Sequence, residues 1–389
     1  MNHPIRRMLC GILPFVLALS LFGCARDVRP SEGVGKVKLC AVGDIYLTDD
    51  MLSAAKTADG YNFLPQFSDI LMPLTSADLT VGNFEGTFAG MPYGAAEGSY
   101  PDALAAMLAT AGFDLLQTAN SYTLFNGVSG MERTRSVIEE NGMTALGSYL
   151  SESDRAENQV VIREVDGVRV AFVAFTKGLG GISLPNGSDA CVNLLYTDYT
   201  SNYEDVDTDA IVSVLKAAKK EKPDVIVAML HWGSEGVTEV SRTQKQIANL
   251  MVDNGVDVII GSHSHEVCEV ERRTVAVNKD RNKEVVIAYG LGDFSAVSAG
   301  GTTVSLMLEL EFTRDHATGI TTLSGLNYRT VAAVDNGEGF ASRYSVLDGD
   351  SAVTLYENNY YARVNESTYD RILAKREKIR KLLGLLPEE

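Results

Sequence analysis

The most constraining feature of the sequence is a series of short apolar segments that each end in glycine or a polar residue. Val37–Val42 is followed by Gly43-Asp44, and Asp224–Leu230 is followed by His231-Trp232-Gly233. Such segments are typical of buried β-strands that end in a turn. Helical patterns lie between the strands, at residues 101–111, 131–141, 207–221 and 241–253. This alternation of strands and helices predicts an α/β fold.

Polar side chains lie just beyond the carboxyl ends of these predicted strands. In α/β sheets the ligand crevice forms at that edge, so the side chains are expected to meet in one site. His263 and His265 have a spacing of two residues, which places both rings on one face of an extended segment; a surface turn is the alternative. Carboxylates together with imidazoles suit Zn, Mn or Fe, so the sequence predicts a site for a divalent metal ion. The side chains concerned are Asp44, Asn83, Glu85, Asn120, His231, His263 and His265.

The pattern changes after Phe294. Residues 302–312 and 320–333 alternate in the manner of long strands, and residues 367–384 form a charged amphipathic helix pattern. We therefore expect a main domain over residues 36–300. A C-terminal extension over residues 301–389 would add a β layer and a closing helix.

The N-terminus has the composition of a targeting segment. Arg6 and Arg7 precede an apolar run of about 15 residues, which is shorter than the roughly 20 residues that a membrane span needs. Leu21-Phe22-Gly23-Cys24 resembles a lipobox. We predict a lipoprotein signal peptide over residues 1–23, lipidation of Cys24 and a tether over residues 24–35. The mature protein would then be lipid-anchored to the cell membrane and face the extracytoplasmic side.

Two alternatives to the lipoprotein signal remain. Phe22 is an unusual residue at its lipobox position, which leaves room for a plain secretory signal. A short buried helix is the other alternative.

The charge balance restricts the class of partner. The chain carries 34 basic and 51 acidic residues, a formal net charge of −17. Nucleic-acid binding needs basic surface, so we expect no nucleic-acid partner. An anionic substrate would require local positive charge, which a bound metal ion could supply. Cys40, Cys191 and Cys268 are isolated, a spacing that indicates neither a zinc knuckle nor a disulfide framework.

Seven short motifs follow one another along the chain: Gly43-Asp44, Gly82-Asn83-Phe84-Glu85, Ala111-Gly112-Phe113-Asp114, Ala119-Asn120, His231-Trp232-Gly233, Gly261-Ser262-His263-Ser264-His265 and Tyr289-Gly290-Leu291-Gly292-Asp293-Phe294. In this order, they resemble the bacterial capsule synthesis protein CapA family of poly-γ-glutamate biosynthesis. The resemblance extends from about Lys36 to Phe294 and implies a four-layer α/β/β/α sandwich like that of calcineurin-like metallophosphoesterases. By the same resemblance, Asp44, Glu85, His231, His263 and His265 fall on ligand-like positions.

The chain departs from the family pattern after its third strand. Where the family has Ala-Asn-Asn-His, this chain continues from Asn120 with Ser121 and Tyr122, and Phe125 stands in place of an Asp. The resemblance gives Asn120 and Tyr122 the catalytic positions, but a tyrosine, with a reference pKa of about 10, is a poor general acid near neutral pH. Asp293 stands where the family usually has Asn, and the resemblance makes it, like Asn83, a further pocket residue.

Two functions are compatible with these features. In the first, the protein is a metal-dependent hydrolase of a phosphoester or anionic envelope polymer, with one or two metal ions. Two metal ions would share Glu85, with Asp44 and His265 on one side and His231 and His263 on the other. In the second, a partly degenerate site serves a non-catalytic protein that binds or guides a γ-linked glutamate polymer in a capsule synthesis and export complex.

Overall fold

A computed structural model describes residues 33–385 of the chain. The predicted signal peptide, Cys24 and nearly all of the predicted tether lie outside the described residues. Within the described range the strands are β1 Val34–Ile45, β2 Lys56–Thr57, β3 Gly60–Tyr61, β4 Leu79–Phe84, β5 Leu115–Gln117, β6 Thr144–Leu146, β7 Val161–Val165, β8 Val168–Thr176, β9 Val225–His231, β10 Val258–Ser262, β11 Val270–Asn278, β12 Arg281–Ala288, β13 Thr302–Asp315, β14 Ile320–Asp335 and β15 Tyr344–Asp348. The helices are α1 Asp49–Ala54, α2 Leu64–Phe67, α3 Leu71–Thr75, α4 Asp102–Thr110, α5 Gly127–Glu140, α6 Glu152–Asn158, α7 Thr208–Lys220, α8 Arg242–Asp253, α9 Gly349–Glu357 and α10 Glu366–Leu382.

Two large mixed sheets form the centre of the fold. The first sheet has the order β15-β14-β13-β1-β4-β5-β6, and the second has the order β11-β12-β10-β9-β8-β7. Strands β1, β4, β5 and β6 pair in parallel, as do β8, β9, β10 and β12. The parallel strands of each sheet therefore end at one edge, which is the edge where the predicted site residues lie.

The buried apolar residues divide into layers. Val81 and Leu115 of the first sheet and Val227 and Ile260 of the second belong to one buried cluster between the sheets. The outer face of the first sheet packs on α4 and α5, and the outer face of the second packs on α7 and α8. The predicted four-layer α/β/β/α architecture is confirmed. Cys40 is a buried core residue with a free thiol.

Local sequence signals account for several of these elements. The Asp166-Gly167 pair joins β7 to β8 in an antiparallel hairpin, with φ angles of 47° and 74° that suit the turn of such hairpins. Helix α8 begins after a capping box in which the Ser241 side chain accepts from the Gln244 amide and the Gln244 side chain accepts from the Ser241 amide.

The C-terminal strands differ from the expectation in one respect. We expected residues 302–333 to add a β layer, but β13 pairs antiparallel with β1, and β14 and β15 continue the same sheet. The extension therefore widens the first sheet instead of forming a layer of its own. Helices α9 and α10 cover this widened part through a separate buried cluster that includes Val334, Val353 and Ile372. Between residues 33 and 385, no helix combines the length and apolar character that crossing a membrane requires.

Candidate metal centre

The candidate site lies where the carboxyl ends of the two sheets meet. Asp44 lies near the end of β1 and pairs with Asn83 of β4 in the parallel register, and Glu85 directly follows β4. His231 is the last residue of β9 and pairs with Ser262, the last residue of β10. The structure brings together every metal-ligand candidate of the sequence analysis: Asp44, Glu85, His231, His263 and His265.

Together with Asp293, these five side chains form two groups of three possible ligands. Glu85, His231 and His263 make the first group, and Asp44, His265 and Asp293 make the second. Within each group the potential ligand atoms all lie within 4.8 Å of one another. Asp293, expected only as a further pocket residue, is therefore a ligand candidate as well.

Glu85 contacts both groups. Its Oε1 lies 3.2 Å from Nδ1 of His231, and its Oε2 lies 3.5 Å from Nε2 of His265. The side chain is almost completely buried. This position between the groups is the one that a shared ligand of two metal ions would require.

The backbone around these ligands is tightly constrained. His263 and His265 have φ angles of 89° and 58°, a left-handed conformation that is uncommon for residues other than glycine and concentrates at functional sites. Gly43 precedes Asp44 because a Cβ atom at residue 43 would clash with the carbonyl oxygen of Gly292. The glycine thus allows β1 to approach the segment that carries Asp293.

Asn83 positions the carboxylates of both groups. Its side-chain amide donates to Oδ1 of Asp44 at 2.7 Å and to Oε1 of Glu85 at 3.3 Å. Its Oδ1 accepts a hydrogen bond of 3.0 Å from Asn120. Asn120 also donates to the carbonyl of Phe84 and accepts from the amide of Tyr122, so both of its polar atoms are used within the protein. Asn120 therefore fixes the orientation of the Asn83 side chain through this hydrogen bond.

Ser121 and Tyr122 occupy the mouth of the site. Oγ of Ser121 lies 3.1 Å from Nε2 of His231, so the serine contacts the first ligand group. Tyr122 is half-buried; burial and the charges of Glu85 and Glu235 raise the pKa of its hydroxyl, which therefore stays protonated at neutral pH.

The electrostatics of the site favour a cation. Burial, and then the neighbouring charge of Asp44, raises the pKa of Glu85 well above its usual range. Burial also raises the pKa of Asp44. Burial lowers the pKa of His265, but its hydrogen bond to Asp293 and the charges of Glu85 and Asp44 outweigh this effect and raise that pKa to about 10. The three buried carboxylates thus stabilise positive charge among them.

The other two imidazoles are in the form that binds metal. Burial, followed by the charges of Lys177 and His265, lowers the pKa of His263 to about 3. Burial also lowers the pKa of His231 well below its usual range. The two neutral imidazoles and the Glu85 carboxylate of the first group fit a divalent ion of the Zn, Mn or Fe type. In the second group a metal ion would take the place of the proton on His265.

Two neighbours of the site were not identified from the sequence. The Tyr46 hydroxyl donates to Oδ2 of Asp293 at 3.0 Å, and its ring packs edge-on against His265. Lys177 directly follows β8 and lines a pocket together with His263. Their positions in the sequence were the available signals. Tyr46 lies two residues after Asp44, and Lys177 lies at the end of a strand, as the histidines do.

Comparison with known proteins identifies similar chains. The family model described as "Bacterial capsule synthesis protein PGA_cap" matches residues 38–297. A protein of Bacillus subtilis named "PGA biosynthesis protein CapA" is 30% identical over 184 residues, which are 47% of this chain and 42% of that protein. The "Capsule biosynthesis protein CapA" of Bacillus anthracis is 29% identical over 221 residues, 56% of this chain and 48% of that protein. The alignments thus span less than half the length of either relative.

Solved structures also resemble the chain. The calcineurin-like phosphoesterase YfkN from Bacillus subtilis matches with a TM-score of 0.43 and 13% identity, covering 90% of this chain and 99% of that one. A novel phosphatase from Mycoplasma pneumoniae matches with a TM-score of 0.45 and 13% identity, covering 78% and 96%. Both TM-scores are below 0.5, and neither similarity bears on what this chain does.

Proposed function

The chain belongs to the bacterial capsule synthesis protein family PGA_cap, and we propose that it serves the synthesis or export of an anionic capsular polymer of the poly-γ-glutamate type. In this proposal a divalent metal ion held between the two sheets provides the binding site for the polymer. The observation that carries the proposal is the pair of three-ligand groups that meet at Glu85.

The net charge of the chain explains why an anionic ligand would need a metal ion. The chain has a formal net charge of −17, which repels a polyanion over most of its surface. A divalent ion supplies local positive charge that attracts and polarises carboxylate or phosphate oxygens. Asn83 holds the carboxylates of Asp44 and Glu85 in place through its amide hydrogen bonds. The buried imidazole of His263 stays neutral and available as a ligand.

The departures at the mouth of the site favour binding over catalysis. Ser121 reaches His231 with a short hydroxyl instead of an amide, and Tyr122 replaces the imidazole of the family pattern. The hydroxyl of Tyr122 holds its proton too tightly to act as an efficient acid near neutral pH. We therefore propose that the second ion is held weakly and that hydrolysis is slow or absent.

An active hydrolase is the second candidate. It is favoured by the close grouping of all five predicted ligands around a shared Glu85, an arrangement that hydrolysis assisted by two metal ions requires. Its substrate would be a phosphoester or an anionic envelope polymer.

Metal content, polymer binding and turnover distinguish these functions. The purified protein is reconstituted with Mn²⁺ or Zn²⁺, and bound metal is counted by mass spectrometry. Glu85→Gln should lose metal, whereas Glu157→Gln, which removes an exposed carboxylate from α6, should not. Metal-dependent binding of poly-γ-glutamate without cleavage of bis(p-nitrophenyl) phosphate supports the capsule proposal. Turnover that Glu85→Gln abolishes supports the hydrolase, and a wild type without metal contradicts both.

We also propose that the protein is anchored to the membrane through a lipid on Cys24 and faces the extracytoplasmic side, where it joins a capsule synthesis complex. The support is the basic and apolar leader that ends in Leu21-Phe22-Gly23-Cys24. Cys24→Ser should move the protein from the membrane fraction to the soluble or secreted fraction. Cys10→Ser changes a cysteine of the same leader away from the lipobox and should leave the protein in the membrane. Equal membrane retention of both variants would contradict the anchor.

A further inference from the structure

A small pocket adjoins the first ligand group. It has a volume of about 280 Å³, and His263 forms part of its wall. The pocket therefore opens directly onto a candidate metal ligand. The other residues that matter here are Ser121, Lys177, Gly180, Tyr203 and Glu235.

Lys177 places a positive charge in this pocket. Its Nζ donates to the carbonyl oxygen of Gly233 at 2.6 Å and lies 4.3 Å from the centre of the Tyr203 ring. Within residues 33–385 it forms no direct ion pair; burial lowers the pKa of its ammonium group, and the charge of Glu235 on the same pocket wall partly offsets that effect. A lysine ammonium has three protons to donate, so two remain for a ligand.

The backbone fixes this lysine relative to the metal ligands. The amide of Lys177 donates to the carbonyl of His231 at 2.8 Å, so the two residues are neighbours across the ends of β8 and β9. Gly180 has a φ angle of 62°, and a Cβ atom there would lie only 3.0 Å from the carbonyl oxygen of Ser121. The glycine-containing loop after Lys177 thus packs against Ser121 and closes the pocket beside the site.

We propose that Lys177 binds an oxyanion of the substrate, a carboxylate or a phosphate oxygen, while an adjoining part of the same molecule lies at His263. This assignment rests on the proposed function. In it, Lys177 positions the substrate at the candidate metal site. Glu235 lines the same pocket and its charge acts on Lys177, so an oxyanion binds there only in direct contact with the ammonium group. Lys177 is thus the residue that gives this pocket a preference for an anionic group.

The test measures ligand affinity and metal content on the same protein. Mn²⁺-loaded full-length protein is titrated calorimetrically with a γ-linked glutamate oligomer in one arm and with inorganic phosphate in the other. Lys177→Met removes the charge but keeps the apolar stem against Tyr203, and Lys177→Arg keeps the charge. Lys220→Met is the matched control, because it removes an exposed lysine from the end of α7, away from the site.

We expect Lys177→Met to weaken binding at least tenfold in one or both arms, Lys177→Arg to stay within about threefold of the wild type, and Lys220→Met to bind as the wild type does. Metal content should be the same in all four proteins. The arm that shows the loss identifies the oxyanion as carboxylate or phosphate. Equal affinity of Lys177→Met and the wild type, or no binding of either probe to the wild type, overturns the assignment of Lys177. Absence of metal from the wild type overturns the proposed function separately.

Discussion

At the scale of single residues, Asn83 connects the two halves of the candidate site. Its amide reaches Asp44 and Glu85, which belong to different ligand groups, and its carbonyl oxygen is held by Asn120. Partners that orient metal ligands commonly contribute 10–100-fold to affinity. The geometry thus predicts that Asn83 controls metal affinity even if it binds no ion itself.

Asn83→Ala should weaken binding of Mn²⁺ by roughly 10–100-fold. The substitution leaves both carboxylates without their shared donor, so they lose their fixed orientation. Metal affinity is measured by competition with a fluorescent chelator. Asn202→Ala, which changes an exposed asparagine in a loop, should leave affinity unchanged. Unchanged affinity in both variants would mean that Asn83 only fills space.

A second residue-scale prediction concerns the two departures at the mouth of the site. Ser121→Asn together with Tyr122→His should raise metal stoichiometry or turnover of bis(p-nitrophenyl) phosphate above that of the wild type. An amide at position 121 can extend toward the ion near His231, where the serine is short, and the pocket beside it offers room. Metal counting and a phosphodiesterase assay on the wild type and the double variant provide the check. Two tightly held ions in the wild type would show that the site is not degenerate.

The site residues that could be predicted are those whose signal is local. Asp44, His231 and His263 each lie at or next to the end of a predicted strand, and parallel pairing brings such ends together. The support of Asn83 by Asn120 and the contact of Tyr46 with Asp293 could not be predicted in the same way, because they depend on how side chains from distant segments meet.

At the scale of elements, α10 shows how a highly charged helix packs on the rest of the fold. Its sequence predicted an amphipathic helix, and the structure buries Ile372 and Ile379 while leaving Leu382 45% exposed. Arg376 adds an ion pair with Asp350 at 2.7 Å. The helix is thus part of the packed fold, as we expected from its apolar positions.

Ile372→Ala should lower the free energy of unfolding by roughly 2–5 kcal/mol, because it opens a cavity between α10 and the widened sheet. Leu382→Ala on the same helix should change it by less than about 0.5 kcal/mol, since nearly half of that residue is exposed to water. Urea unfolding followed by circular dichroism measures both. Metal content should stay the same in the two variants. Equal effects would mean that α10 does not pack as described.

Element type was easier to predict than sheet partner. The Asp166-Gly167 turn fixes its hairpin within a few residues, so the sequence contains the whole signal. The pairing of β13 with β1 joins segments more than 250 residues apart, and both strands are apolar enough to suit several neighbours. That is why the C-terminal region was expected as a separate layer and instead became part of the first sheet.

At the scale of the whole molecule, the ligand groups connect the two sheets. Asp44 and Glu85 lie at the carboxyl ends of strands of the first sheet, whereas His231 and His263 lie at those of the second. The first ligand group therefore joins Glu85 from one sheet to two histidines from the other. An ion bound there would hold the sheets together at this edge and stabilise the folded state.

Metal should therefore raise the melting temperature. A ligand that binds only the folded state stabilises it by about 2.7 kcal/mol at 100 times its Kd, and each kcal/mol shifts the melting temperature by about 2–4 °C in domains of 150–250 residues. We expect a difference of at least about 3 °C between Mn²⁺-loaded and EDTA-treated protein in calorimetry. Glu85→Gln, which removes the carboxylate that contacts both ligand groups, should abolish this difference, and Glu157→Gln, which changes an exposed carboxylate of α6, should preserve it. Because each variant is compared with itself, any general loss of stability cancels, and a difference that persists in Glu85→Gln would place the ion elsewhere.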